Sequence, residues 1–144
     1  MRTIIAGSRG LGDAHVRAAM EACGWLPTAV ISGKARGADE AGEKWAHERS
    51  IPVELFPAKW RELGKRAGFY RNEEMTWHAK ALVAVWDGVS RGTEHMIFVA
   101  RGAGLKVFVW TLSTHKCERC GGPASTANEF KICGDVEIAI CHKC

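Results

Sequence analysis

Two cysteine pairs, Cys117-x-x-Cys120 and Cys141-x-x-Cys144, make the most specific chemical statement in this chain, with 20 residues between them. C-x-x-C pairs at such a separation match a structural zinc site. Each pair forms a turn that aims two thiolates inward, and a hairpin between the pairs brings them together as an S₄ tetrahedron suited to Zn²⁺. The hairpin strands are expected over 128–133 and 136–141, around Gly134-Asp135, a pair suited to a type II′ turn. Cys133 reads as a spare thiol, and four cysteines in register make His142 unnecessary as a ligand. Such a site accounts for how the tail folds, so function has to be sought in residues 1–111.

Three turns in that stretch share one chemistry. Gly7-Ser8-Arg9-Gly10, the run from Ser32-Gly33 through Arg36-Gly37-Ala38-Asp39, and Asp87-Gly88-Val89-Ser90-Arg91-Gly92-Thr93 each combine glycine, a hydroxyl and a cation. Glycine lets the backbone approach a phosphate, and a following helix offers unpaired N–H groups and a positive dipole end. Arg9, Arg36 and Arg91 add charge. None of the turns is a standard fingerprint. The first reads G-x-x-G-x-G rather than G-x-G-x-x-G, and the Gly33-Lys34 step lacks the P-loop register. A single loop of this kind needs only a tight turn to explain it, whereas three at one crevice point to a phosphate-bearing ligand.

The elements that must position these turns alternate. Strands are expected at Thr3–Ala6, Ala29–Ile31, Ile51–Phe56, Ala81–Trp86 and Leu105–Trp110. Helices are expected after Asp13, read as an N-cap, then over 38–49, over 67–78, and from Gly92-Thr93 onward. Residues 58–66 read as a basic, partly irregular connection. Strands that are continuous apolar runs indicate a parallel sheet covered on both faces. The fold class is therefore α/β, a Rossmann-like parallel sheet of about five strands, in the order 3-2-1-4-5. That order sets the turns after the first and fourth strands side by side at the switch point, where ligands of such sheets bind. Residues 1–111 form this domain and 112–144 the zinc ribbon.

At 144 residues, with 47% hydrophobic and 25% charged residues, the composition is that of a globular protein. A region of roughly 110 residues buries a self-sufficient core, and a tail of roughly 30 needs a metal or disulfides. The formal charge is +4, and a zinc held by four thiolates lowers it to about +2. Charge is thus poor evidence for a nucleic-acid partner. The start of the chain shows no secretion signal and no run long enough to span a membrane. A cytoplasmic setting follows, in which the cysteine pairs are metal ligands rather than disulfides.

The motifs Gly7-Ser8-Arg9, Ser32-Gly33-x-x-x-Gly37-Ala38-Asp39, Arg71-Asn72-x-x-Met75 and Asp87-Gly88-x-Ser90-x-Gly92-Thr93 occur in this order. With them, residues 1–110 resemble the YspA-type (cpYpsA-related) branch of the SLOG superfamily, which also includes the LOG phosphoribohydrolases and the DNA-processing protein DprA. The resemblance implies a Rossmann-like fold, a nucleotide-derived ligand such as an ADP-ribose-like or cyclic nucleotide signal, and a homo-oligomer. LOG enzymes cleave the N-glycosidic bond of nucleoside monophosphates with an R-K-x-x-M helix motif and a G-G-x-G-T-x-x-E loop. Here Asn72 replaces the lysine and Met96 the glutamate. Methionine cannot act on water or on an oxocarbenium-like centre as a carboxylate does, and Glu94 points about 200° around the helix from that position. Binding is therefore favoured over LOG-type hydrolysis, which stands as the alternative.

Arg71 is read as a phosphate clamp. Asn72 either orients a base or ribose or faces solvent, and Asp39 either accepts a ribose hydroxyl or favours its helix N-terminus. Phe69 and Tyr70 either stack on a purine or join the core. Lys59, Arg61, Lys65 and Arg66, interleaved with Trp60, raise single-stranded nucleic acid as a further partner. Glu62, Glu73 and Glu74 interrupt that patch, and a solvated surface is the simpler account. A small stand-alone binder either reports a signal or sequesters it, the latter suiting a phage protein that counters nucleotide-based immunity.

Overall fold

Thr3, Ile4, Ile5 and Ala6 are all buried, although neighbouring side chains of a strand point to opposite faces. Their strand must therefore be covered on both sides. The computed structural model, which describes residues 1–111 and the two tail strands, shows how. Strand β1 (Arg2–Gly7) lies at the centre of a five-stranded parallel sheet with β2 (Ala29–Ser32), β3 (Val53–Leu55), β4 (Ala81–Trp86) and β5 (Lys106–Thr111), in the order β3-β2-β1-β4-β5. This is the Rossmann-like order expected from the alternation.

The pleat divides the core in two. Ile5, Val30, Val83 and Val85 meet α1 (Asp13–Ala22) and α2 (Ala38–Glu48) through Val16, Met20, Ala41 and Trp45. Ile4, Ala6, Ile31, Leu82 and Ala84 meet α4 (Ala67–His78) and α5 (Arg91–Gly102) through Met75, Met96, Ile97 and Ala100. Complete burial of each such aliphatic side chain contributes about 1.5–3 kcal/mol, so both helix layers are held by the same strands.

Three details depart from the sequence reading. Gly12, not Asp13, is the N-cap of α1, and its N–H is received by Nδ1 of His15 at 3.1 Å. Asp13 instead meets Lys44 of α2 at 2.7 Å on the surface. Strand β3 is shorter than expected because Pro52 and Pro57 flank it, yet its pairing with β2 runs on. Val30 donates to the Pro52 carbonyl at 2.9 Å, and Phe56 donates to that of Ser32 at 2.8 Å. The connection over 58–66 is mostly helical, with α3 (Trp60–Leu63) followed by a 3₁₀ turn at Gly64–Arg66, and neither piece buries a residue.

In the tail, β6 (Phe130–Cys133) and β7 (Val136–Ala139) pair antiparallel with Cys133 opposite Val136, in keeping with the expected hairpin. The four zinc-ligand candidates Cys117, Cys120, Cys141 and Cys144 lie outside the described residues. Among the described residues, no helix is long and apolar enough to cross a membrane.

Candidate functional site

The carboxyl ends of β1, β2 and β4 open into a cavity of about 800 Å³. Its rim comes from the three glycine turns, through Gly7, Arg9 and Gly10, then Gly33, Lys34, Ala35 and Arg36, then Asp87, Ser90 and Gly92. Helix α4 supplies one wall with Gly68, Phe69, Arg71, Asn72 and Met75, and α5 adds Thr93 and Met96. Pro57, Ala58, Trp60 and Lys65 close the outer side.

Several motif residues build this cavity without reaching it. Ser8 is buried, and its Oγ receives the N–H of Asp87 at 3.0 Å while its own N–H goes to the Val85 carbonyl at 2.9 Å. The first and third turns are thus tied together. Gly7 makes room for this contact, since a Cβ there would lie 2.1 Å from the Val85 carbonyl oxygen. Gly37 has φ +78°, and a Cβ would stand 2.3 Å from the Arg9 carbonyl oxygen. Ala38 gives the first N–H of α2 to the Ser8 carbonyl at 3.3 Å. Ser32, Gly88 and Arg91 also lie outside the lining, with Arg91 exposed.

Asp39 is buried in the first turn of α2. Its Oδ1 receives Gly7 N–H at 3.3 Å and its Oδ2 receives Ala35 N–H at 3.4 Å. Burial pushes its pKa up to about 6, against the opposing pull of Arg71 and of the two N–H groups. Asp87 behaves oppositely. Desolvation works to raise its pKa, but the N–H groups of Val89 and Ser90 and the Ser90 hydroxyl hold it down at about 2. Those bonds, 2.7–2.9 Å long, fix the turn that leads into α5.

Arg71 donates Nη1–H to the Gly33 carbonyl and Nε–H to Oδ1 of Asn72 at 3.1 Å. Gly33 is where the guanidinium lies, for a Cβ there would be 2.7 Å from Nη1. Asn72, left open by the sequence between ligand and solvent, is buried and joins α4 to α5. Its Nδ2 donates to the Gly92 carbonyl at 3.2 Å and lies 3.2 Å from Nδ1 of His95. Burial lowers the His95 pKa, which favours the neutral ring able to accept that bond.

Lys34 occupies the left-handed region at φ +58°, uncommon for a residue with a side chain. The surroundings impose it. Its N–H goes to Ser32 Oγ at 3.1 Å, Ser32 Oγ donates to Glu43 at 2.7 Å, and its ammonium meets Glu43 at 3.2 Å. Backbone strain of this kind gathers at functional sites.

Sequence reasoning did not assign Lys34, Trp60, Lys65, Met75 or Met96 to the lining. Phe69 takes part, but Tyr70 does not line the cavity. The basic stretch at 58–66 was the available signal for Trp60 and Lys65. Met96, at the position where LOG enzymes carry glutamate, is almost fully buried beneath the cavity.

A model of the family described as YspA, cpYpsA-related SLOG matches residues 1–62. The Gene 61 protein of Mycobacterium phage D29 is 38% identical over 84 residues, an alignment covering 54% of this chain and 67% of the phage protein. No solved structure matches significantly. With the sheet order and the ordered glycine motifs, these likenesses show that the chain belongs to the YspA, cpYpsA-related SLOG family.

Proposed function

We propose that this protein binds a phosphate-bearing, nucleotide-derived small molecule in the cavity at the sheet's switch point. The observation that carries the reading is the charge balance of the lining. Arg9, Lys34, Arg36, Lys65 and Arg71 face two carboxylates there, Asp39 and Asp87. The phosphates would rest on Gly7–Gly10 and on the start of α5, where the N–H groups of Gly92 and Thr93 precede the intrahelical ladder. Arg71 would clamp the charge. The start of α2 suits an anion less, since the Asp39 carboxyl is buried there on the N–H groups of Gly7 and Ala35, whereas the acidic residue in the first turn of α5, Glu94, is exposed.

Binding without turnover is supported by Met96, which offers no proton to a leaving base. The phage relative is compatible with a phage setting; there the binder would sequester a nucleotide signal, with ADP-ribose-like and cyclic nucleotides as the first candidates. A second reading, N-glycosidic hydrolysis, is favoured by one observation. Asp39 lines the cavity and has a pKa near 6, within the working range of a general acid.

Incubating the purified protein with nucleoside monophosphates, ADP-ribose, cyclic ADP-ribose isomers and cyclic oligonucleotides separates these readings. A compound that leaves the free pool and returns intact on denaturation supports sequestration. Catalytic release of free base, abolished in Asp39→Asn, supports hydrolysis. For the tail we propose one structural Zn²⁺ on Cys117, Cys120, Cys141 and Cys144. Metal analysis should return one zinc per chain, lost in a Cys117→Ser/Cys120→Ser variant.

A further inference from the structure

The outer side of the cavity differs in kind from its rim. Trp60 on that side and Phe69 on the α4 wall both line the cavity while remaining 52% and 47% exposed. Exposed rings are common on surfaces and mean little singly. Two rings lining the same cationic cavity are a different matter, because they give it apolar, polarizable surface beside its phosphate chemistry.

Their placement relative to Arg71 is specific. A Cβ on Gly68 would lie 3.4 Å from Cη2 of Trp60 and 3.8 Å from Nη2 of Arg71. The tip of the indole and the guanidinium therefore both border the same glycine. Phe69, next in the chain, is set against the His95 ring at 4.3 Å between centroids and 32° between planes. Asn72 holds His95 in turn, so Phe69 rests on a group fixed by the buried frame. Tyr70 and Trp77 are also exposed on α4 but do not line the cavity. The aromatic lining is thus a local feature of the site, not a general property of that helix.

We propose that Trp60 and Phe69 form the seat of a nucleobase, making the ligand a nucleotide whose base stacks there while its phosphates lie on the adjoining cations. The proposal rests on the phosphate-binding reading and adds the group that a bare phosphate or sugar phosphate lacks. Stacking on aromatic faces tolerates different bases and grows with overlap, so purines rank above pyrimidines. Lys65, from the turn after α3, adds a cation on the same side. The 57–66 segment is then the element that tells a nucleotide from its base-free counterpart.

The test compares AMP and ADP with ribose 5-phosphate and inorganic pyrophosphate, titrated calorimetrically into the full chain. AMP should bind at least roughly tenfold more tightly than ribose 5-phosphate, as expected for one or two stacked faces, and ADP should exceed pyrophosphate by at least that ratio, since it adds the ribose as well as the base. Trp60→Leu and Phe69→Leu should each shrink those ratios, and Trp60→Phe should restore most of the loss. Equal affinity for base-bearing and base-free ligands overturns the seat while leaving the phosphate reading intact. An unchanged ratio in both leucine variants, with circular dichroism showing them folded, also overturns it. Binding by neither class overturns the phosphate reading and the seat together.

Discussion

The rim of the cavity and its outer side teach different things about what a motif is for. At and behind the rim, Ser8, Asp39, Asn72 and Asp87 belong to the family-like motifs, and each is engaged with backbone or side-chain partners of the chain itself. Ser8, Asp39 and Asn72 are buried as well. On the outer side, Trp60 and Lys65 lie in a segment with no buried residue and belong to none of those motifs. The motif residues chiefly hold the cavity's shape. The exposed cations and rings are what it offers a ligand.

Arg71 belongs to both regions, so its replacement has the largest expected effect. Arg71→Met should weaken phosphate-ligand binding by about a hundredfold, the scale of a lost charge-assisted contact of roughly 2–3 kcal/mol. It should also lower stability, since Asp39 loses the cation that offsets its burial. Intact affinity in this variant would break the assignment of Arg71 as clamp.

Gly33→Ala sharpens the point from the other side. The new Cβ would stand 2.7 Å from Nη1 of Arg71 and 2.9 Å from Oδ2 of the buried Asp39, so the flexible arginine end must move aside and the carboxylate must also give slightly. Affinity should fall by roughly tenfold, about 1.4 kcal/mol, and the urea midpoint should report a stability loss of no more than about 1 kcal/mol, from the small shift imposed on Asp39. A large stability loss would mean instead that Gly33 serves the fold.

The division itself is tested by two pairs of variants under urea. Ser8→Ala and Asn72→Ala remove buried hydrogen-bonding groups and should each reduce stability by about 1–3 kcal/mol. Arg9→Gln and Arg36→Gln should remain within about 0.5 kcal/mol of the parent, as exposed substitutions do, while weakening phosphate binding several-fold. If Arg36→Gln unfolds as readily as Ser8→Ala, the two regions are not distinct.

The smallest effect is one of pH. A folded-state pKa of about 6 for Asp39, against 3.8 as the ordinary value, means that the folded chain holds the extra proton between those limits. The contribution of Asp39 to stability is therefore greatest below pH 3.8, falls as pH rises toward 6, and is flat above. Asp39→Asn should remove that slope from urea titrations between pH 4 and 6.5. In the parent, a ligand of constant charge such as a cyclic dinucleotide should bind more tightly at pH 5.5 than at 7.5, because a neutral Asp39 leaves Arg71 uncompensated.

The sheet was legible because its evidence is local. Runs such as Ile4-Ile5-Ala6 and Leu82-Val83-Ala84-Val85, punctuated by glycine turns, yield strand order once right-handed crossovers are assumed. The meeting of the first and third turns followed from that order. The individual roles were not local. Asn72 fills its place only because α5 brings Gly92 and His95 beside it. Trp60 reaches the cavity only because a helical turn forms in a stretch rich in lysine and arginine. Asp39 carries the same carboxyl as any exposed aspartate, and its burial depends on the Gly7 turn, 32 residues away, closing over it together with the neighbouring Ala35 loop.

The absence of core residues from α3 and the turn that follows has an evolutionary consequence. Substitutions there encounter little selection from folding, so relatives sharing the same sheet and glycine turns are free to diverge in the molecule they accept. Homologues with matching motifs but different residues at positions 57–66 form a natural series in which ligand preference changes while the architecture stays constant.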